Sequence, residues 1–408
     1  MTKPATKKPL SKICYLLKSF PEISETFIVE EMQSMMNAGI AVDAIAIYQG
    51  NFDLQHPIAE SFLKTVAVSY VKSVAYPQML SCLAQLLVKK PGTCLKTLVK
   101  ALQSGKERWR YFIMLPYAVS VLKQNVDYLH AHFADENLQL AEVLSEWTGI
   151  PYGFTAHRYD IFETVLEQLS ELANKAAAVV TVSEFNKRFM VANYAIAPEK
   201  IYVAYNGIRT ELFQPNRQPA NNACLNLINV GRLVAIKGQD ILLAAVHLVR
   251  TQGYEVQLRI IGEGLLQADL EAQIAQLALQ DCITLMGAQS QSQVCQYLDA
   301  ADVFVMPSRS EGFAVACLEA MAMKLPVIAS NVTGFPEAVS DYETGILVEV
   351  ENPAMLAEAI IWMIKHPEQR LEMGKKAREI VETKFTRTQV TNGLINYWQQ
   401  SIQNEGLL

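Results

Sequence analysis

The chain has 408 residues, enough for two or three domains of ordinary size, and half of them are hydrophobic, enough for sizeable cores. A net charge of −6 gives no general reason to expect nucleic acid. Seven scattered cysteines, with no Cys-x-x-Cys pair, point to the reduced thiols of a cytosolic protein rather than to a disulfide framework or a zinc site. The N-terminal lysines (Lys3, Lys7, Lys8, Lys12) are followed by no apolar signal core, and no apolar run reaches the ~20 residues that a membrane span needs.

Lys12 to Leu17 reads as a first buried strand, Phe20 to Thr26 as a loop, and Ile28, Met32, Met35 and Met36 recur at helical spacing up to Gly39. Val42 to Ile47 is the next strand. A β-α-β start places the loop after the first strand at the carboxyl edge of a parallel sheet, where such folds bind ligands. Ser24 and Thr26 in that loop read either as hydrogen-bond donors to a phosphate or acceptor, or as a helix cap.

Charge is uneven: residues 1–130 hold 15 Lys+Arg against 9 Asp+Glu, a net of +6, which leaves −12 for the rest. The bias peaks between Ser61 and Lys123, with ten basic residues and one acid, Glu107. Over 61–124 the pattern is that of basic, amphipathic helix. Leu95, Leu98, Val99 and Leu102 fall on one face, with Lys96 and Lys100 off it. Such a segment lies on an anionic membrane surface, or it packs its apolar face on its own domain and leaves a solvated basic face. Aromatic interleaving is too sparse for nucleic acid.

Tyr128 to Ala134 returns to strand and carries His132, which reads equally as a site residue or a packed core histidine. A helix over Leu138–Trp147 ends at Gly149, and the strand Pro151–Thr155 delivers His157 to the same carboxyl edge. Ala177–Val182 and Ile201–Ala204 complete this half, with Ser183 as a cap and Tyr205–Ile208 as a turn.

The second half alternates strand and helix from Leu225 to Ala329, which implies a parallel, doubly wound sheet. Its edge loops carry Gly231-Arg232 with Lys237-Gly238, then Gly262-Glu263-Gly264, then Pro307 to Gly312. An Arg and a Lys at one sheet edge can neutralise a diphosphate and stabilise it as a leaving group. Gly262-Glu263-Gly264 lacks the third glycine of a dinucleotide fingerprint. After the strand Val303–Met306, Glu311 falls just ahead of a helix read from Phe313 onward, and Glu319 about two turns into it. The N–H groups of Gly312, Phe313 and Ala314, with the helix dipole, would hold an anion such as a diphosphate. The two carboxylates would accept from sugar hydroxyls. By spacing alone, the same two glutamates also fit an ordinary surface helix.

Pro307-Ser308, Glu311-Gly312-Phe313, Leu318-Glu319-Ala320-Met321-Ala322 and Leu325-Pro326-Val327-Ile328-Ala329-Ser330 together resemble the E-x7-E region of the retaining group 1 glycosyltransferases. The resemblance implies an α/β, GT-B-like fold: two Rossmann-like, doubly wound parallel-sheet domains facing a cleft. It implies an acceptor domain over 1–208 with the basic insert at about 61–124, a linker at 209–224, a nucleotide-sugar donor domain over 225–385, and a helix over 386–408 crossing back to the first domain. Glu311 would face the donor sugar or its phosphate, and Glu319 the ribose hydroxyls. Arg232 and Lys237 would meet the donor phosphates, and His157 would lie beside the transferred sugar. Gly231, Gly262, Gly264, Gly312, Phe313 and Ala314 would complete the donor loops, with Ser24, Thr26 and His132 toward the acceptor.

Phe20-Pro21-x-x-Ser24-Glu25-Thr26-Phe27-Ile28 is similar to the branch that includes colanic-acid and other exopolysaccharide enzymes, and it stands where most of the family has a glycine-rich loop. Two further departures are Lys324 and Thr333, where glycine is usual, and Phe335 next to Thr333 is expected to narrow the sugar pocket. The implied reaction is metal-independent, retaining transfer of a hexose from a UDP- or GDP-sugar to a glycan or lipid-linked glycan hydroxyl. There is no Asp-x-Asp, and no cofactor is expected. The rival classes are a sugar-nucleotide epimerase on the same fold and a non-catalytic nucleotide-sugar-binding subunit. The expected place is the cytoplasm, free or peripheral on the membrane's inner face.

Overall fold

The central strands of this chain, Tyr128–His132, Tyr152–Ala156, Val303–Met306 and Val327–Ser330 among them, are short apolar runs buried on both faces, which is the pattern of parallel sheets sandwiched between helices. The structure, a computed structural model, describes residues 9–22, 26–50, 66, 68–216 and 224–404. It divides into two units, Met1–Ala204 with Thr391–Leu408, and Tyr205–Val390.

In the first unit, β1 (Lys12–Phe20), β2 (Ala41–Gln49), β3 (Val68–Tyr70), β4 (Tyr128–His132), β5 (Tyr152–Ala156), β6 (Ala178–Thr181) and β7 (Ile201–Val203) form one sheet in the order 3-2-1-4-5-6-7. Its pairs are parallel, with Ile13 opposite Tyr128 and Leu129 opposite Tyr152. In the second, β8 (Leu225–Val230), β9 (Val256–Ile261), β10 (Ile283–Leu285), β11 (Val303–Met306), β12 (Val327–Ser330) and β13 (Gly345–Val348) run in the order 10-9-8-11-12-13, again parallel. The strand order reverses between β1 and β4 in one sheet and between β8 and β11 in the other. The crevice at such a reversal is where open α/β sheets bind ligands.

The helix Glu136–Thr148 anchors one face of the first sheet, where the Trp147 indole is buried and donates to the Tyr111 carbonyl at 2.9 Å. On the other face, the C-terminal helix brings Trp398 against Tyr128 and His130, with ring centroids 5.4 and 4.6 Å apart. Tyr397 stacks on Tyr202 and donates to the Lys200 carbonyl at 2.6 Å. The division between units falls a few residues from the boundaries read in the sequence. Tyr205 to Asn216 pack with the second unit: Phe213 is buried, and the Arg378 guanidinium donates to the carbonyls of Phe213 and Ala322. The rest of the expected linker, 217–223, lies outside the described residues.

The 61–124 segment corrects one expectation and bears on another. It is not wholly helical, because β3 pairs with β2 at the sheet edge, and the Tyr70 hydroxyl and carbonyl bond to Phe20 and Tyr117. Helices Tyr76–Lys89, Pro91–Gln103, Arg108–Ile113 and Leu115–Lys123 follow. In the second of these Leu95, Val99 and Leu102 are exposed and Leu98 is partly buried against the core, while the buried face is Cys94, Thr97 and Ala101. Those small side chains let the helix lie close to Glu136–Thr148, where Thr97 Oγ1 donates to the Glu146 carbonyl at 2.6 Å. No helix among the described residues is long and apolar enough to cross a membrane.

Candidate active site

In the second unit the site grows from the two loops at the strand reversal. After β8 the chain makes a tight turn, Ala235–Lys237, and the Lys237 ammonium donates to Glu311 Oε2 at 2.5 Å. Each side chain is 17% exposed, so the pair is shielded but reachable. Arg309 ties the two loops together. Its N–H donates to the Ile236 carbonyl at 2.8 Å, and its guanidinium forks onto Asp240 at 2.7 and 3.0 Å and reaches Glu351 at 2.8 Å. Burial pushes the Asp240 carboxyl up, but the Arg309 hydrogen bonds outweigh it and hold the group below its usual range. Arg232 is exposed, and among the described residues its guanidinium has no ion-pair partner. Gly262 and Gly264 fold against the loop after β8. A Cβ on Gly262 would sit 2.0 Å from the Gly231 carbonyl oxygen, so that glycine is required for loop packing.

The Glu311 loop is longer than the sequence suggested. The helix spans Val315–Ala322 with Ala314 at its N-cap, so it begins two residues later than expected and Glu319 lies one turn in rather than two. The N–H groups from Gly312 through Ala316 have no backbone acceptor among the described residues. Glu319 is half-buried and close enough to Cys295, in the helix Gln291–Asp299, to add to the effect of burial in raising that thiol. The Phe313 ring packs inward on Tyr205 and Phe385, at 4.9 and 5.4 Å, so only its backbone faces the loop surface. Phe335 is likewise buried, which corrects its expected role in narrowing a pocket.

Both positions where glycine had been expected hold left-handed backbone: φ is 58° at Lys324 and 47° at Thr333. For β-branched Thr333 this is a strained conformation. Its hydroxyl accepts from the Glu311 N–H at 2.9 Å, while Gly334 passes so close that a Cβ would lie 2.2 Å from the Gly312 carbonyl oxygen.

In the first unit a different kind of site sits at the corresponding edge. His132 at the end of β4 and His157 just after β5 place their Nε2 atoms 3.1 Å apart. Phe27 and Phe133 wall in His157, with ring centroids at 5.2 and 4.8 Å. Burial lowers His157 to about 4 and His130 to about 3, and also pushes His132 down, so these rings are neutral at pH 7. Asp160 accepts from the N–H groups of His157 (2.8 Å) and Ala134 (2.6 Å), which joins the two histidine loops, and burial raises its carboxyl to about 7. Glu31 accepts from the Tyr15 hydroxyl at 2.9 Å and lies 3.9 Å from His132 Nδ1. Ligand-type atoms of Glu31, His130 and His132 fall within 4.8 Å of one another. Ser24 lies outside the described residues. Thr26 opens the first helix, and its side chain is also outside them.

Sequence reading thus located Lys237, Glu311, His132 and His157 at the sheet edges and missed Glu31, His130, Asp160, Asp240 and Arg309. Two of these carried a signal: His130-x-His132 falls on one face of a strand, and Asp160 stands three residues after a helix-opening His157. Arg309 and Asp240 are 69 residues apart and carried none.

Two doubly wound parallel-sheet units, with a Lys–Glu pair at the strand reversal of the second, have the architecture of the GT-B glycosyltransferases. Residues 212–380 match the family "Glycosyl transferases group 1", and residues 93–212 match "Glycosyltransferase Family 4", so the chain carries group 1 glycosyltransferase domains. It is 27% identical over 397 residues to the amylovoran biosynthesis glycosyltransferase AmsK of Erwinia amylovora, covering 92% of this chain and 96% of that one. It is 24% identical to the putative colanic acid biosynthesis glycosyltransferase WcaL of Salmonella typhimurium, covering 95% and 99%. Among solved structures, a glycosyltransferase from Rickettsia africae aligns with a TM-score of 0.74 at 18% identity over 97% of this chain and 99% of that one. Anabaena HepE in complex with UDP aligns at 0.73 and 19%, over 94% and 98%.

Proposed function

We propose that this glycosyltransferase moves a hexose, with retention, from a UDP-sugar to a hydroxyl of a glycan or lipid-linked glycan during assembly of a bacterial exopolysaccharide. The observation that carries the donor reading is the Lys237–Glu311 pair at 2.5 Å, joining the loop that holds Arg232 to the loop whose N–H groups, Gly312 to Ala316, have no backbone acceptor among the described residues. A diphosphate drawn to Lys237, Arg232 and the helix start would release the Glu311 carboxylate toward a sugar hydroxyl, while Glu319 takes the ribose hydroxyls. The acceptor oxygen bonds to the anomeric carbon on the face the diphosphate leaves. The departing phosphate oxygen takes the acceptor proton and carries the bond's electron pair, with Lys237 and Arg232 stabilising the charge. That arrangement asks for no metal. His157, neutral at pH 7, serves to orient a sugar hydroxyl rather than to carry charge. The UDP and exopolysaccharide parts of the reading are supported by the HepE complex and by the nearly full-length match to AmsK and WcaL.

The test is transfer from a panel of UDP- and GDP-sugars to a polysaccharide-repeat acceptor in chelator, with the product's anomeric configuration read by NMR. Retained configuration without metal is expected. An inverted product, or turnover only with added divalent cation, would refute the mechanism, and conversion of the donor without acceptor would point to an epimerase.

A further inference from the structure

The face that the helix Pro91–Gln103 turns outward is its apolar one. Leu95, Val99 and Leu102 recur at helical spacing and are 55, 54 and 63% exposed, while the small residues behind them are buried. The preceding helix, Tyr76–Lys89, adds Tyr76, Leu80, Leu87 and Val88, the last 84% exposed, and Trp109 follows in the next helix at 54%. Soluble domains do not leave so many large apolar side chains together without a use for them. An apolar concavity of about 530 Å³ opens in the same face, lined by Met79, Leu102, Trp109 and Phe112 with Arg108.

Interleaved with these are Lys89, Lys90, Lys96, Lys106 and Arg108, all exposed and, among the described residues, without an acidic partner. Of the other basic groups, Lys100 is taken by Glu142 and Glu146, and Arg110 by Glu107 while lying 5.5 Å over the Trp109 ring. We infer that this face docks the protein on an anionic lipid bilayer: the apolar side chains and Trp109 enter the headgroup–acyl boundary, and the five free cations meet lipid phosphates. A second copy of the chain is a poor occupant, because a two-fold contact would set these cations against themselves. The inference stands on the first unit alone and does not depend on the donor chemistry.

The test is co-sedimentation with phosphatidylcholine vesicles, with and without phosphatidylglycerol, at low and high salt, and with Trp109 fluorescence followed by comparison with Trp109→Phe. Expected are binding only with the anionic lipid, loss of that binding in salt, and a blue shift that Trp109→Phe removes. In two exposed triple variants, Lys89→Glu/Lys90→Glu/Arg108→Glu and Leu95→Ser/Val99→Ser/Leu102→Ser, binding should fall at least about tenfold, since each basic charge alone accounts for roughly fivefold. The inference is overturned by the wild-type protein failing to bind phosphatidylglycerol vesicles at low salt. It is also overturned by binding that both variants retain, or by a lipid-free dimer that the serine variant dissolves.

Discussion

The two sheets present opposite chemistry at equivalent places. At the strand reversal of the second unit the side chains are charged and cross-linked: Lys237 on Glu311, and Arg309 on Asp240 and Glu351. At that of the first unit aromatic rings dominate: neutral His132 on His157, walled by Phe27 and Phe133, with Asp160 beneath raised to about 7 and Glu31 3.9 Å from His132. One edge is suited to a polyanion, the other to neutral hydroxyls. The same topology supplies both, so the division of labour lies in the loops and not in the fold.

That contrast can be broken most sharply at Lys237. Lys237→Ala should lower kcat by about 10²–10³-fold, as expected for removing a group that meets charge developing on the leaving oxygen. It should also leave Glu311 without its partner. Steady-state kinetics would show it, and wild-type turnover would end the phosphate role. His157→Ala should cost less, about tenfold. The wild-type rate should show no limb near pH 6.5, because burial holds His157 to about 4. A limb there that the variant abolishes would mean that His157 titrates in the working range.

Arg309→Lys probes how the charged edge is held. Losing the fork onto Asp240 should weaken donor binding by several-fold with little change in kcat. A pH series of unfolding experiments separates the two edges further. His130 and His157 have folded values below 6.5, so their stabilising share is complete above that pH and is lost as pH falls toward 4 and 3. Asp160 has the opposite sign: its share is complete below 3.8 and fades as pH rises through about 7. The histidines outnumber it, so stability should fall between about pH 6.5 and 4, and His157→Gln should flatten that slope. The smallest effect is expected at Thr333. Thr333→Gly relieves roughly 1–2 kcal/mol of left-handed strain but loses the acceptor for the Glu311 N–H, worth about 1 kcal/mol, so the two nearly cancel in chemical denaturation. Thr333→Val keeps the strain and loses the acceptor, and should be the less stable of the two.

The alternation of apolar runs with helical periodicity made both sheets legible, and the short motifs placed Lys237, Glu311 and His157 at the correct edges. What escaped the sequence has physical causes. Arg309 finds Asp240 only through the folded approach of two loops. Phe335 looks like a pocket residue in a motif, but it is a core residue in the fold. In the helix Pro91–Gln103, hydrophobicity alone left two faces open: Leu95, Val99 and Leu102 face out because Cys94, Thr97 and Ala101 permit the closer approach to the neighbouring helix. Thr333 shows the reverse case, in which a residue type departs from expectation and the backbone does not.

The most direct test of the central account is calorimetric titration of UDP, in chelator, into the wild-type protein and into Lys237→Ala. The account predicts metal-free binding by the wild-type protein that weakens at least about tenfold in the variant, in keeping with the loss of a charge-assisted contact to phosphate. Equal affinity in the two proteins, or wild-type binding that appears only when a divalent cation is restored, would contradict it.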